Sequence, residues 1–432
     1  MTTAPSYQPA NPESVFTYGA PQLKFGSGAA DEIGYDLSLT GAKRVLVVTD
    51  AGMAATGTPQ RVADQMAQFG IEAHVFDGSH VEPTDQSLQR AVDYARSSGP
   101  WDAFVAVGGG SSIDTAKAIN LLTTNPGELM KPTTVREWGG QARCQRRESP
   151  LAAPPQPWTG SGRPTISVCA VLSLQVKPGI SHARLRPSLA VIDPDLTLTQ
   201  PPGVTAACGM DILCHALESY TARPYTSYEH KQPDQRVPYC GSNPIADMWS
   251  EKALSLLAGS FRLAVRDGQN KGARAAMAMA ATFAGMGFGN AGVHIPHANG
   301  YPIAGRVKDF HPKDYPPDEP MVPHGMSVAL TAPEAFRFTF DASPERHLRA
   351  ARLLAPGADE PDNLAEHLPA ILTTLMRDID IPSGVGAVGY DESDINDLVD
   401  GTMKQQRLLA TAPKTVTEDD VAGIFRRSMS LW

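Results

Sequence analysis

The first third of the chain alternates short apolar runs with amphipathic ones. "KRVLVVTD" (43–50) predicts a buried strand, "PQRVADQMAQFG" (59–70) a helix closed by a glycine, and "IEAHVF" (71–76) a second strand. "TDQSLQRAVDYARSSG" (84–99) predicts a helix with Thr84 as its N-cap. "DAFVAVGGG" (102–110) is a strand running into glycines, and "SSIDTAKAINLL" (111–122) a helix. That alternation implies a parallel sheet with helices on its faces. "SLAVIDPDL" (188–196) adds one more strand. Beyond it strand patterns nearly vanish. Ala/Met/Leu-rich segments at 205–221, 245–266, 271–289, 325–338, 345–354, 363–378 and 393–409 predict helices. The expected organisation is an α/β domain over 1–194 and an all-helical domain over 195–432, with no internal repeat.

Two stretches fall outside this rhythm. Residues 1–15, "MTTAPSYQPANPESV", read as a short disordered arm. Residues 131–165 are basic, rich in proline and arginine, and periodic in neither sense, so they read as irregular.

Composition narrows the function classes. At 42% hydrophobic and 19% charged over 432 residues, the chain has the make-up of a globular protein long enough for two domains. A net charge of −9 argues against nucleic acid as a partner. No apolar run reaches membrane-spanning length. Five cysteines, at 144, 169, 208, 214 and 240, form no Cys-x-x-Cys pair. Their odd number and irregular spacing point to free thiols in a reducing, cytoplasmic compartment. The N-terminus has no basic or apolar signal region and no arginine, so neither a secretory nor a mitochondrial leader is expected.

In "VAVGGGSSIDTAK", Gly108, Gly109 and Gly110 stand between a strand and a helix. They let the backbone approach an anion, and Ser111 or Ser112 can cap the helix, whose N-terminal end favours negative charge. A tight β–α turn would use the same residues. The position at a strand's carboxyl end, where open α/β sheets bind ligands, favours a phosphate. Asp50 ends the first clear strand. There a carboxylate can accept a ribose diol and repel a 2′-phosphate, favouring NAD over NADP; an Asx-turn or helix cap would use an aspartate equally well.

Asp211 and His215 are four apart in "GMDILCHALESY" (209–220), so they share one helical face. Alone, the pair could be a buried salt bridge or two ligands of a divalent ion. His294 and His297 in "GFGNAGVHIPHANGYPIAG" and His324 in "MVPHGMSVAL" add further ligand types, with core or capping roles as the alternative. His182, His311, His347 and His367 read as surface residues.

Taken in order, "GGGSSIDTAKA", "LAVIDPDLTLTQPPGVTAACGMDILCHALESY", "HIPHANGYPIAG" and "PHGMSVAL" make the chain resemble the iron-dependent (group III) alcohol dehydrogenase family over roughly 15–130 and 167–430. Within it the hydroxyacid-oxoacid transhydrogenase branch is most similar. The features are "LSLQVKPGISHARLRPSLAVIDP", Tyr301 in "HANGYPIAG", and the insert "RVKDFHPKDYPPDEPMVPHG".

The resemblance implies a dehydroquinate synthase-like fold: an α/β nucleotide-binding domain, an all-α metal-binding domain and an active site in the cleft between them. It implies Asp211, His215, His297 and His324 as ligands of a divalent metal, Fe2+ or else Zn2+, with His297 preferred to His294 because it heads the stretch H-x-x-x-[HY]-P. It implies NAD held by Asp50, Gly108, Gly109, Gly110, Ser111, Asp114, Thr159 and Lys177. The implied reaction passes a hydride from 4-hydroxybutyrate to 2-oxoglutarate through a bound nicotinamide. The other partners are small molecules only, and a homo-oligomer is allowed. Carboxylated substrates need a cation. Arg306, Lys308 and Lys313 are candidates, against the alternative of a solvated charged loop.

The family's P-T-T-x-G-T-G-S-E turn corresponds here to "PPQPWTGSGRPT" (154–165), where only "TGS" (159–161) survives. Upstream the resemblance is lost, and it returns abruptly near Val168; a local shift of reading frame leaves this pattern, and true divergence of a loop, which rarely starts and stops so sharply, is the alternative. Pro154, Pro155 and Pro157 cannot donate to a sheet ladder, so a central strand here is not expected. Missing hydroxyls near the cofactor predict weakened NAD binding and lowered activity. The rival readings are an iron-containing, NAD-dependent alcohol dehydrogenase that releases its cofactor, a metal-dependent lyase of the dehydroquinate-synthase type, and a catalytically impaired paralogue.

Overall fold

The structure is a computed structural model that describes residues 9–80, 83–124, 151–153, 166–168, 179–181, 185, 187–237 and 239–432. It divides into two compact units, one of residues 20–199, the other of 1–19 with 200–432.

The first unit is α/β. Its strands are β1 (Gln22–Phe25), β2 (Arg44–Asp50), β3 (Glu72–Ser79), β4 (Ala103–Ala106), β5 (Leu151–Ala153), β6 (Ile166–Val168), β7 (Gly179–Ser181) and β8 (Leu189–Ile192). Six of them form a parallel sheet in the order β1-β8-β5-β4-β2-β3, and β6 and β7 pair antiparallel. β2 shows why a near-continuous apolar run becomes a central strand. Val45 and Val47 face a core shared with Val62 and Met66 of the Thr58–Ala67 helix. Leu46 and Val48 face the opposite core, with Leu88 and Val92 of the Asp85–Ser98 helix and Ile113 and Ile119 of the Gly110–Thr124 helix. Thr84 caps its helix as expected, accepting from Ser87 N at 3.0 Å.

β5 corrects one expectation. The segment 131–165 holds a three-residue strand between β4 and β8, in register Phe104–Leu151 and Ala153–Ala190. Pro154, Pro155 and Pro157 lie outside the described residues. β1 was also absent from the expectation. "QLKF" is a half-exposed edge strand, too short and too polar to stand out.

The second unit is helical. Pro202–Thr221, Pro244–Arg266 and Lys271–Ala291 pack on one another. Asn243 and Asn270 cap the latter two by accepting from Ala246 N and Ala273 N, both at 3.0 Å. The expected 325–338 helix is split into His324–Ala329 and Ala332–Thr339, and 393–409 into Ile395–Met403 and Gln406–Leu409. The helix Ile295–Gly305 was not expected; Pro296 and Pro302 hide it from a propensity reading.

Two histidines expected at the surface are buried. His347 belongs to the apolar stripe of the Pro344–Leu354 helix with Ala350, Ala351 and Leu354, at steps of three, four and seven. His367 is buried beside Leu368 at the start of His367–Asp378. His311 is exposed, and His182 lies outside the described residues.

The arm expected to be disordered is docked from residue 9 onward. Glu13 accepts from Lys231 N at 3.0 Å and from Arg236 Nη1 at 2.7 Å, while Gly19 N donates to Asn290 Oδ1 at 3.0 Å.

Candidate active site

The Pro202–Thr221 helix carries Asp211, His215 and Glu218 on one face, at steps of four and three. All three are buried. His297 comes from Ile295–Gly305 and His324 from the start of His324–Ala329. Gly325 explains the approach of the latter. A Cβ there would stand 2.1 Å from Ala207 O and 2.8 Å from Asp211 Cβ, so only glycine lets this helix lie flush against the one bearing Asp211.

The imidazoles converge on one oxygen. From Asp211 Oδ1, His297 Nε2 is 3.4 Å away, His215 Nε2 3.7 Å and His324 Nε2 3.8 Å. Ligands at the vertices of a tetrahedron around a divalent ion stand about 3.4 Å apart when each bond is close to 2.1 Å. Asp211 Oδ1 and His297 Nε2 are both buried without a hydrogen-bond partner. Two orphaned polar atoms facing each other at that spacing fit a shared cation, which would offset the burial of both. One carboxylate with three imidazoles suits iron or zinc. His324, whose side chain is one-third exposed, forms the open side.

Rings close the other sides. Phe288 stacks on His215 with centroids 3.9 Å apart, and Tyr301 on His324 at 5.7 Å. Burial disfavours ionisation of Asp211, but the surrounding His215, His324 and His297 hold its carboxyl below the usual range. Burial depresses His215, so its imidazole is neutral and ready to ligate. Burial would depress His297 as well, yet Glu218 and Asp211 raise it.

Glu218 was not singled out from the sequence. Its Oε1 stands 2.6 Å from His297 Nδ1, and its Oε2 accepts from His294 N at 2.6 Å and His297 N at 3.3 Å. A carboxylate on Nδ1 fixes the tautomer that leaves Nε2 for a cation. The signal was present, because Glu218 is three residues after His215 on the same face. His294 is turned elsewhere, with Nε2 3.0 Å from Thr221 Oγ1.

On the α/β unit, β2 pairs with both β3 and β4, so consecutive connections leave it in opposite directions. This is the kind of switch point where open sheets bind ligands. Asp50 and Gly108 lie there. Gly108 has φ +154, and a Cβ on it would stand 2.5 Å from Ser112 Oγ and 3.3 Å from Asp50 Oδ2. Asp50 caps Ala51–Ala55 through Met53 N at 2.9 Å and also accepts from Ser112 Oγ at 3.2 Å. Gly109 and Gly110 lead into the Gly110–Thr124 helix with Ser111, and Asp114 lies 3.5 Å from the buried Lys117 Nζ. The bare backbone at Gly108 and the helix start beside it fit a pyrophosphate. Thr159 and Lys177 lie outside the described residues.

A parallel nucleotide-type sheet and a helical unit in which Asp211, His215 and His297 lie close enough to share an ion, with His324 beside them, are the parts of a metal- and nucleotide-dependent enzyme. Comparison with known proteins gives the family. Residues 20–194 match the family described as iron-containing alcohol dehydrogenase, and residues 238–429 match the C-terminal domain of the Fe-containing alcohol dehydrogenase family. The chain belongs to the iron-containing alcohol dehydrogenase family. It is 40% identical to the Bos taurus mitochondrial hydroxyacid-oxoacid transhydrogenase, over 99% of this chain and 93% of that one. It is 39% identical to the Homo sapiens protein of the same name, with the same coverage. Among solved structures it is similar to a 1,3-propanediol oxidoreductase, with TM-score 0.82 and 29% identity over 96% of this chain and all of that one.

One expectation is overturned here: these relatives are named as mitochondrial, which contradicts a cytoplasmic location. The thiols misled. Among the described residues Cys208, Cys214 and Cys240 are free, and free thiols do not select a compartment. Among the described residues no helix is long and apolar enough to cross a membrane.

Proposed function

We propose that this chain is a hydroxyacid-oxoacid transhydrogenase, moving a hydride from a 4-hydroxybutyrate-like hydroxyacid to a 2-oxoglutarate-like oxoacid with NAD retained. The reading is carried by the convergence of three imidazoles on Asp211 Oδ1 in a chain 40% identical, over nearly its full length, to a relative of that name. Asp211, His215, His297 and His324 would hold the metal, for which iron is proposed and zinc is the alternative. Asp50, Gly108, Gly109, Gly110, Ser111 and Asp114 would hold NAD, joined by Thr159 and Lys177. The ion supplies Lewis acidity and the nicotinamide a reversible hydride acceptor.

The protein's own part is positional. Glu218 keeps the His297 Nδ1 proton, so Nε2 points at Asp211. Phe288 and Tyr301 shield the imidazoles they stack on from water. Gly108 opens the backbone to the dinucleotide. The competing reading, an alcohol dehydrogenase that releases its cofactor, is favoured by the likeness to the 1,3-propanediol oxidoreductase.

Label transfer separates the two. Iron-loaded protein is given carbinol-deuterated 4-hydroxybutyrate and 2-oxoglutarate, with and without added NAD. Deuterium in 2-hydroxyglutarate without added NAD is the expected result. Transfer that requires added NAD supports the rival, and no transfer under either condition supports an impaired paralogue or a lyase.

A further inference from the structure

The proposed substrates share a feature beyond the reacting carbon. In both 4-hydroxybutyrate and 2-oxoglutarate, two methylenes separate that carbon from a carboxylate. A single cation at a fixed distance from the metal ligands can therefore serve both half-reactions. This inference rests on the transhydrogenase reading above.

Two of the three cations offered by the sequence are committed elsewhere. Arg306 pairs with Asp400 at 3.4 Å and Asp397 at 3.8 Å, and Lys308 with Asp394 at 2.6 Å. Lys404 and Lys414, which flank the 406–409 helix, pair with Asp400 at 2.7 Å and Asp341 at 2.8 Å. Arg407 is placed differently. It is exposed on the Gln406–Leu409 helix, which packs on Ile295–Gly305, the helix that carries His297 and Tyr301. Its guanidinium lies 5.0 Å from the Tyr239 ring centroid. The ionisable side chains acting on it are Tyr239 and Tyr301, with no carboxylate among them.

The tyrosines connect this cation to the site. Tyr239 and Tyr301 pack on one apolar cluster that includes Phe288 and Leu408. Tyr301 stacks on His324, and Phe288 on His215. A file of rings thus runs from two of the converging imidazoles to one guanidinium that has no carboxylate partner among the described residues. The guanidinium hydrogen-bonds Tyr239 and lies beside its ring, and its remaining N–H donors can still take a carboxylate.

We propose that Arg407 is the specificity-determining residue that receives the substrate carboxylate two methylenes from the reacting carbon, with Tyr301 the spacer between that carboxylate and His324. An arginine suits the task because its fork binds a carboxylate through two parallel hydrogen bonds, whereas a lysine offers a point charge.

The test uses the full iron-loaded chain and two substrates that differ only in the carboxylate, 4-hydroxybutyrate and butan-1-ol. It also measures equilibrium binding of glutarate, an unreactive probe of the same carboxylate spacing. Arg407→Gln is expected to lower kcat/KM for 4-hydroxybutyrate about 30-fold, mostly through KM, and to weaken glutarate binding by a similar factor. Butan-1-ol turnover and iron content should stay within about twofold. Arg407→Lys should recover part of the loss. A wild type active on 4-hydroxybutyrate whose Arg407→Gln form loses acid and alcohol turnover equally, or neither, overturns the assignment and leaves the transhydrogenase reading standing. A wild type that oxidises butan-1-ol alone overturns both.

Discussion

The candidate metal centre of the helical unit and the candidate nucleotide site of the α/β unit, below the metal side and the cofactor side, are assembled by different means. On the metal side a single helix, Pro202–Thr221, sets Asp211, His215 and Glu218 on one face, and two further helices bring His297 and His324 to the same oxygen. On the cofactor side Asp50 and Gly108 lie on separate segments that meet only because β2 pairs with β4. Helical spacing is a local property, whereas sheet pairing is not. The metal side can therefore be weakened residue by residue, while the cofactor side depends on how bare the backbone stays where two loops meet.

The largest effect expected is at the centre of convergence. Asp211→Ala removes the oxygen on which three imidazoles focus and should abolish stoichiometric iron, lowering turnover about a thousandfold or more. Metal analysis of the purified variant checks this, and full iron occupancy with wild-type turnover would refute the centre. Glu218→Gln comes next. The amide still hydrogen-bonds but loses the charge that holds His297 in its tautomer, so iron affinity should fall about 10–100-fold. Competition with a chelator measures it, and an unchanged affinity would make Glu218 a purely structural residue.

How far the sequence reaches follows the same line. Asp211 and His215 were legible from a four-residue step. Choosing His297 over His294 needed the family resemblance, because both stand in one apolar, proline-containing stretch. Glu218 was passed over although it obeys the same spacing, since a buried carboxylate on an apolar helix shows its purpose only when a partner arrives from 79 residues away. His347 and His367 are buried against expectation because a histidine on an amphipathic helix reads as polar until the packed face is known. The Asp50–Ser112 bond could not be foreseen, because it depends on which strands are neighbours. β5 escaped because three residues beside prolines carry no periodicity.

On the cofactor side Gly108→Ala is the matching test. Its φ and the 2.5 Å approach to Ser112 Oγ make any side chain strained, so NAD should bind about 10-fold more weakly while iron content is unchanged. Equal losses of NAD and iron affinity would erase the contrast between the two sides. Unchanged or tighter NAD binding would show that the bare backbone at Gly108 does not serve the cofactor. Replacing "PPQPWTGSG" with a P-T-T-x-G-T-G-S-E segment should return hydroxyl donors to the cofactor and improve NAD affinity by several-fold, about the worth of one hydrogen bond. No gain in affinity or turnover would show that this chain reaches its cofactor without them.

The smallest effect comes from a histidine that belongs to neither side. His347 is buried, with Nε2 2.9 Å from Thr339 Oγ1 and Nδ1 2.9 Å from Ser343 O. Burial pushes its pKa down from 6.5 to about 4. Between those values the unfolded chain binds a proton that the folded chain refuses, so this residue's contribution is complete above pH 6.5 and is lost as pH falls toward 4. At pH 5 about 2 kcal/mol of it should be gone. His347→Asn removes the titrating group and keeps a polar side chain. Its stability deficit relative to wild type, measured by urea unfolding of the iron-loaded chain, should therefore be about 2 kcal/mol smaller at pH 5 than at pH 7. The comparison is a difference of differences, so acid effects on the proposed metal ligands, common to both proteins, cancel. An equal deficit at both pH values would mean that His347 is protonated in the fold as readily as in solution, and that its burial costs it nothing in charge.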